Sequence, residues 1–362
     1  MGTRQAQYPY DPDYAVPPGA TLLDKIEELE IGKGELALRL GLSAKHVSRI
    51  IHGHEPITPE TAIGLERVTG VPASFWNARE AIYRERLARI RDGENLQRDL
   101  EWLRSIPTGE LCKRGFVTTT RRDVGLLRET LAFFGVSGTA AWQNYWDEFI
   151  AKVGARESPS FEARREALAT WLRLGELQAR DIECQPFDKS GFHGALADIR
   201  KLTRKDPKVF VPKTRRLCGD TGVALALVPE LKNVPWHGAS WWITPQKAII
   251  ELNLRGRKED HFWFSFFHEA GHILRDSKKA VFINDGSKGD ENEGKADAFA
   301  ADFLIPADRL PEVLQVRTQE QILGLADSLG ISPGIVVGRL QRETKKWNWF
   351  NNLRRTFVWT AQ

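Results

Sequence analysis

Cysteine and long apolar runs are both scarce in this chain of 362 residues. The three cysteines, Cys112, Cys184 and Cys218, lie far apart and form no Cys-x-x-Cys pair, which argues against a thiolate zinc site and a disulfide framework. No apolar run reaches the length of a membrane span, and the first 19 residues lack the basic-then-apolar layout of a signal peptide. We therefore expect a cytoplasmic protein without a membrane partner.

The chain also lacks a strong excess of charge of one sign. Its formal net charge is +4, with 41% hydrophobic and 28% charged residues, which is an ordinary soluble composition. The exception is the stretch 193–217, which contains eight Lys or Arg residues and only two Asp residues and so has a local net charge of +6. Such a stretch either meets phosphate groups or forms a solvated face, and the sequence leaves both interpretations open.

A chain of this length exceeds one ordinary hydrophobic core and indicates two or three domains. We predict a multidomain fold in which an all-α N-terminal domain and a helical connector precede an α+β C-terminal domain. The predicted segments are a flexible arm at 1–16, an all-α domain at 17–91, a helical connector at 92–185, an α+β domain at 186–310 and a C-terminal helical extension at 311–362.

Helical periodicity dominates the N-terminal part of the chain. The apolar spacing predicts helices at 21–29, 34–40, 44–52, 58–68 and 73–90. Gly41 is placed to end the second helix, while Ser43 and Thr58 are N-caps of the third and fourth. Because a tight glycine-containing turn joins the second helix to the third, this arrangement predicts a helix-turn-helix.

The third helix carries the residues that can read DNA. Its candidate contacts are Lys45, His46, Ser48 and Arg49. Residues 1–95 have a net charge of −2, so such a domain needs a dimer or a concentrated basic face to bind DNA well. The alternative is an ordinary helical bundle whose polar side chains only face water.

The C-terminal part mixes two periodicities. Short β-type runs occur at 223–228 and 248–254, and helices are predicted at 262–274, 291–304 and 318–329. This mixture predicts helices packed on a small sheet.

The strongest chemical signal is the motif His268-Glu269-x-x-His272. Residues four apart share one face of a helix, so the two imidazoles can hold one Zn²⁺ while Glu269 projects beside it. Such a carboxylate acts as the general base for water that the metal has acidified. Two helical histidines also occur on ordinary surfaces, but an aromatic run at 262–267 would bury this helix, and buried histidines need partners.

A catalytic zinc site needs a third protein ligand. Glu293, on the following helix, is the candidate, and Glu291 is the alternative. We favour Glu293 because Asp297 follows it by four residues and can accept a hydrogen bond from a ligating histidine.

These motifs resemble the ImmA/IrrE metallopeptidase family. The resemblance rests on FHEAGHIL at 267–274, EGKADAFAADFLIP at 293–306 and ISPGIVVGRL at 331–340, and it extends from about residue 187 onward. It implies a gluzincin-like fold in which His268, His272 and Glu293 bind zinc and Glu269 is the catalytic acid and base. Members that resemble this domain act on helix-turn-helix repressors.

The N-terminal part is similar to HigA-type antitoxins. The shared motifs are ELALRLGLS at 35–43, SRIIHG at 48–53 and ITPETA at 57–62, and the likeness covers about residues 17–90. It implies a lambda-repressor-like domain that is usually dimeric, represses its own operon and pairs with a toxin.

Together these features predict a DNA-binding regulator of toxin–antitoxin or stress-response type with a zinc peptidase domain that cleaves a helix-turn-helix protein, in cis or in trans. A rival prediction is a non-catalytic antitoxin or repressor whose zinc domain is a sensor or a partner-docking module. A third is a protease that its helix-turn-helix only recruits to DNA-bound targets. The sequence leaves these open, although Glu269, whose loss would mark a dead enzyme, is present.

Overall fold

The computed structural model describes residues 14–151, 165–275, 282–284 and 291–359, without the side chains of 151, 282–284, 291 and 292. Of the arm predicted at 1–16, only 14–16 fall within this set. Internal contacts divide the chain into two compact units, 1–101 with 122–127 and 102–121 with 128–362.

The first unit is built from helices. In order, those described are α1 (Pro18–Glu28), α2 (Lys33–Leu40), α3 (Ala44–Ile51), α4 (Pro59–Thr69) and α5 (Ala73–Arg98). Gly41 ends α2 in the left-handed conformation at φ 67°, and the Ser43 side chain accepts a hydrogen bond from the His46 amide at the start of α3. Leu36, Ile50 and Trp76 are buried in one core. Helix α5 runs eight residues beyond the predicted 73–90, because the periodicity of its solvated second half is weak.

The rest of the chain combines helices with one sheet. The helices are α6 (Thr108–Lys113), α7 (Val124–Phe134), α8 (Thr139–Ala151), α9 (Arg165–Asp181), α10 (Lys189–Leu202), α11 (Pro207–Gly219), α12 (Glu259–Arg275), α13 (Glu291–Leu304), α14 (Leu310–Gln315), α15 (Gln319–Leu329) and α16 (Pro333–Thr344). Short 3-10 turns lie at Leu100–Arg104, Ala307–Arg309 and Asn351–Leu353.

The sheet has mixed topology. Its strands are β1 (Val223–Leu227), β2 (Gly238–Thr244), β3 (Lys247–Leu252) and β4 (Phe282–Asn284), in the order β1-β3-β2-β4. The β1–β3 pair is parallel, while β2 is antiparallel to both β3 and β4. Strands β2 and β4 were not expected from the sequence, because β2 lacks a clean alternation and β4 is only three residues long.

The two faces of the sheet have different neighbours. On one face, Leu225 and Ile250 share a hydrophobic core with Phe266 of α12. Because strand side chains alternate, Glu251 of β3 points to the other face, where α9 packs. Its carboxylate is fully buried, and neither oxygen has a hydrogen-bond partner among the described residues. It lies so close to Gly175 of α9 that a Cβ there would clash with it.

The start of α12 is held by the C-terminal part of the chain. Gly334 and Gly338 of α16 let this helix lie directly against the buried carboxylates of Glu259 and Asp260, since a Cβ at either glycine would collide with them. Arg354 donates two hydrogen bonds to Asp260, at 2.9 and 2.7 Å. Arg355 pairs in the same way with Glu259, through its Nε at 2.6 Å.

The predicted fold class is confirmed, with an all-α N-terminal region and an α+β C-terminal region in a multidomain chain. No single helix among the described residues is long and apolar enough to span a membrane. One pair of consecutive helices, Gln319–Leu329 with Pro333–Thr344, reaches the required length and apolar composition when taken together, but the pair is bent by 113°.

Candidate metal centre and DNA-binding helix

His268 and His272 lie one turn apart on α12, on its buried side. Their exposures are 1% and 2%, and their Nε2 atoms are 3.0 Å apart. The aromatic residues of the first half of α12 bury the helix, as predicted, and so carry both imidazoles into the interior. The residue between them in sequence, Gly271, faces α13, and a Cβ there would lie 3.0 Å from the ring of Phe299. This glycine lets α13 come close enough to add a third group.

That third group is Glu293 on α13. Its Oε2 lies 3.2 Å from His268 Nε2 and its Oε1 lies 3.2 Å from His272 Nε2. Four-coordinate zinc, with nitrogen ligands at about 2.0–2.1 Å, holds its ligand atoms about 3.4 Å apart. The three side chains could therefore hold one metal ion, and their donor set suits zinc. The side chain of Glu291, the alternative third ligand, lies outside the described residues.

Asp297 lies behind His268, one helical turn after Glu293. His268 Nδ1 donates to Asp297 Oδ1 at 3.0 Å, and Arg342 of α16 donates to Asp297 Oδ2 at 2.9 Å. The carboxylate thus fixes the ring orientation and points Nε2 toward Glu293. Asp297 was predicted for this position, but Arg342 was not, because nothing local in the sequence links it to α13.

Without a metal, protons hold the same groups together. Burial by itself would lower the pKa of His268, but its hydrogen bonds to Asp297 and Glu293 outweigh burial and raise that pKa to about 10. Burial would raise the pKa of Glu293, but hydrogen bonds from His268 and His272 lower it to about 2. A divalent cation would have to displace the proton on His268, so metal and protons compete for this site.

Glu269 faces the sheet beside the triad. Its carboxylate is fully buried, and Oε2 accepts a hydrogen bond from Ser240 Oγ of β2 at 2.7 Å. Within the part of the chain that the structure describes, Oε1 has no hydrogen-bond partner. A Cβ on Gly238 would lie 2.9 Å from Oε1, so this glycine makes room for the carboxylate. Burial raises the pKa of Glu269 above its ordinary value, against the opposing effects of His268 and His272. Such a group can accept and release a proton.

A cleft opens next to Glu293 and Asp297. Its volume is about 820 Å³, and its walls come from α12, α13 and α16, with the segments that follow β1 and α16. His237 and His261 stand at its edge, with ring centroids 6.0 Å apart. Burial, followed by the charges of His261 and Arg255, lowers the pKa of His237 to about 4. Neither histidine was predicted from the sequence, because neither belongs to a motif.

The basic stretch 193–217 mostly supports the fold. Arg200 donates to the backbone oxygens of Leu304 and Leu329, and Arg204 pairs with Asp327. Of the two interpretations left open, these contacts favour a structural and solvated face.

Helix α3 presents its polar residues away from its core. Val47, Ile50 and Ile51 are buried, whereas the four predicted DNA contacts are exposed or half-buried: Lys45, His46, Ser48 and Arg49. One partner was not foreseen. Arg49 donates from Nε to Glu55 Oε1 at 3.0 Å, so its guanidinium is engaged within the protein.

Comparisons with known proteins agree with the two resemblances. Residues 230–341 match the family model described as the IrrE N-terminal-like domain, and residues 25–76 match that of the helix-turn-helix. The predicted resemblance is therefore confirmed: the chain contains a helix-turn-helix region and an IrrE-like domain. No curated protein matches the chain.

Two solved structures are similar to part of the chain. The antitoxin HigA of Pseudomonas aeruginosa, solved with the higBA promoter, is 28% identical over 24% of this chain and 94% of its own, with a TM-score of 0.22. An addiction module antidote protein of the HigA family from Coxiella burnetii is 25% identical over 23% of this chain and 92% of its own, also with a TM-score of 0.22.

Proposed function

We propose that this protein is a cytoplasmic DNA-binding regulator of toxin–antitoxin or stress-response type that also carries a zinc-dependent peptidase site. The observation that carries the peptidase proposal is the convergence of His268, His272 and Glu293 beside Glu269, a buried carboxylate with one oxygen that no described residue contacts by a hydrogen bond. A purely structural metal site has no use for such a carboxylate, whereas a hydrolytic site does.

In this proposal each residue has its own task. His268, His272 and Glu293 hold the ion, and Asp297 fixes the His268 ring. When bound, Zn²⁺ supplies Lewis-acid activation of a water molecule or a carbonyl group. Glu269 takes a proton at Oε1 and later passes it to the leaving amine, while Ser240 holds its other oxygen in place.

The helix-turn-helix supplies DNA binding. Lys45 and Arg49 can pair with guanine edges or phosphates, and His46 and Ser48 add polar contacts in the major groove. Because Glu55 holds Arg49, binding must exchange one carboxylate for DNA. We further propose a homodimer, a cognate toxin and a helix-turn-helix protein substrate as the partners of the chain.

The peptidase proposal is tested by Glu269→Gln. The variant should keep about one zinc per chain, because Glu269 is not a ligand, while cleavage of helix-turn-helix proteins falls by on the order of 10²–10⁴-fold. His268→Ala and His272→Ala should lose the metal, and Glu293→Ala should weaken it, with Glu291→Ala as the matched control. If wild type and Glu269→Gln give identical fragments and regulation in cells, the zinc domain is a sensor or docking module. If the purified native protein contains no metal, the proposed metal site is wrong.

The DNA-binding proposal is tested by mobility shift on the chain's own promoter region. Arg49→Ala and Lys45→Ala should weaken binding by about 1–3 kcal/mol each, and wild-type affinity should fall steeply with salt. Arg67→Ala removes the same charge from the exposed face of α4 and is the control. Glu55→Gln should strengthen binding by releasing Arg49. Absence of any shift at low salt would exclude the repressor function.

A further inference from the structure

We propose that the cleft beside the metal triad binds a carboxylate of its peptide substrate on the wall formed by α16 and the residues that follow it. The inference rests on the proposed peptidase function, because it concerns the substrate of the same site. The carboxylate can come from an acidic side chain or from the end of a peptide chain, and these two sources share one chemistry.

The cleft has the dimensions and the floor of a peptide site. About 820 Å³ is enough for several peptide residues, in the range typical of ligand-binding clefts. Its lining includes the apolar residues Phe264, Leu304, Ile305 and Ile335, which we call the floor of the cleft. An apolar side chain of the substrate can therefore be buried there, beside Glu293 and next to the proposed metal ion.

The carboxylates of the lining are already engaged. Asp260 is paired with Arg354, Glu293 lies between two histidines, and Asp297 is shared by His268 and Arg342. These acids therefore have little capacity left to bind a basic substrate. The lining also contains four Lys or Arg residues against three carboxylates, and a divalent ion adds two further positive charges.

One cation on the α16 wall, Lys345, is less fully neutralised than the others. Among the described residues Lys345 has no carboxylate partner, and its ammonium group lies 5.8 Å from the centre of the Trp347 ring. Arg339 forms an ion pair with Glu343, with 3.0 Å between Arg339 Nε and Glu343 Oε1, but Glu343 itself does not line the cleft. A cleft with an apolar floor that carries net positive charge concentrates anionic groups. The carboxylate is the anionic group that peptides carry.

The backbone presents this wall toward the cleft. Lys345 ends α16 in the left-handed conformation at φ 60°, which turns the chain so that both Lys345 and Trp347 line the cleft. Trp347 is 60% exposed, unusual for a tryptophan and suited to cover an incoming peptide. The favoured substrate segment thus has an apolar residue for the floor and a carboxylate within a few residues of it.

The test measures binding without cleavage. Full-length, zinc-loaded protein with Glu269→Gln is titrated against three dye-labelled peptides of about ten residues. One is capped and has Leu and Glu two positions apart, the second has Gln in place of Glu, and the third has Gln and a free terminal carboxylate. Fluorescence anisotropy should show about tenfold tighter binding of at least one carboxylate peptide than of the capped Gln peptide, lost as salt rises.

Two substitutions assign the effect to the wall. Lys345→Asn keeps a residue that tolerates the left-handed conformation and, like Arg339→Gln, should remove most of the preference. Lys346→Asn is the matched control, because its ammonium group lies over Trp349 outside the cleft. The peptide that binds identifies the source of the carboxylate. Equal binding of all three peptides, or equal losses in Lys345→Asn and Lys346→Asn, would overturn the inference. Carboxylate-selective binding without cleavage by the wild type would instead contradict the peptidase proposal alone.

Discussion

Replacing Glu251 with Gln should remove a pH-dependent weakness of the fold. The side chain is fully buried, its cross-strand neighbours are Ala226 and Ala239, and Gly175 lies directly against it. None of the residues that the structure describes donates a hydrogen bond to either carboxylate oxygen. Burial raises the pKa of Glu251 well above its ordinary value of 4.5, although the charge of Arg114 acts in the opposite direction.

The size of the effect follows from proton linkage. Because the pKa is raised in the folded state, the unfolded chain releases this proton first as the pH rises. Stability is full below about pH 4.5 and then falls by about 1.4 kcal/mol per pH unit, until the folded-state pKa is reached. Gln cannot ionise, so the variant escapes this loss. The gap between the variant and the wild type should widen by about 3–6 °C in Tm per pH unit.

Thermal unfolding followed at intervals from pH 4.5 to 7.5 measures this gap. Glu183→Gln, at an exposed position after α9, is the control for loss of a carboxylate and should follow the wild-type profile. A constant gap between Glu251→Gln and wild type across this range would show that Glu251 is ionised, or partnered, in the folded protein. A gap that narrows with rising pH would refute the assigned direction of the pKa shift.

Two further predictions concern residues that support α12, the helix that carries His268 and His272. Gly338→Ala should lower the free energy of unfolding by about 1–3 kcal/mol, because its Cβ would lie 2.8 Å from Asp260 Cβ. Gly324→Ala should raise it by up to about 1 kcal/mol, because no described atom lies within 4 Å of a Cβ there. Urea unfolding measures both changes. Equal effects of the two would contradict the close approach of α16. Asp297→Asn should weaken metal binding about 10–100-fold in a chelator competition. The control, Asp308→Asn at an exposed position, should leave metal affinity unchanged. If Asp297→Asn also leaves metal affinity unchanged, His268 does not need Asp297 to bind the metal.

Local patterns predicted the parts of the site that depend on neighbours in sequence. Spacing by four placed His268 and His272 on one helical face, and the same spacing singled out Asp297 behind Glu293. Caps such as Ser43 and Gly41 were equally readable, because they act within one turn.

Contacts between distant segments could not be predicted in this way. The hydrogen bond from Ser240 to Glu269 depends on the register of a strand that the sequence did not reveal. Arg342 reaches Asp297 only because α16 packs against α12, next to α13. Glu251 reads as a polar position of an amphipathic strand, and only the packing of α9 on that face of the sheet shows that it is buried.

The ion pairs that hold the start of α12 determine when this helix can be completed during synthesis. Arg354 and Arg355 follow their partners Asp260 and Glu259 by 94 and 96 residues. At about 5–20 residues per second, roughly 5–20 s separate the emergence of these carboxylates from that of their arginines. The helix-turn-helix core needs only residues from α1 to the start of α5. On the ribosome this core can therefore finish folding while α12 still waits for Arg354 and Arg355.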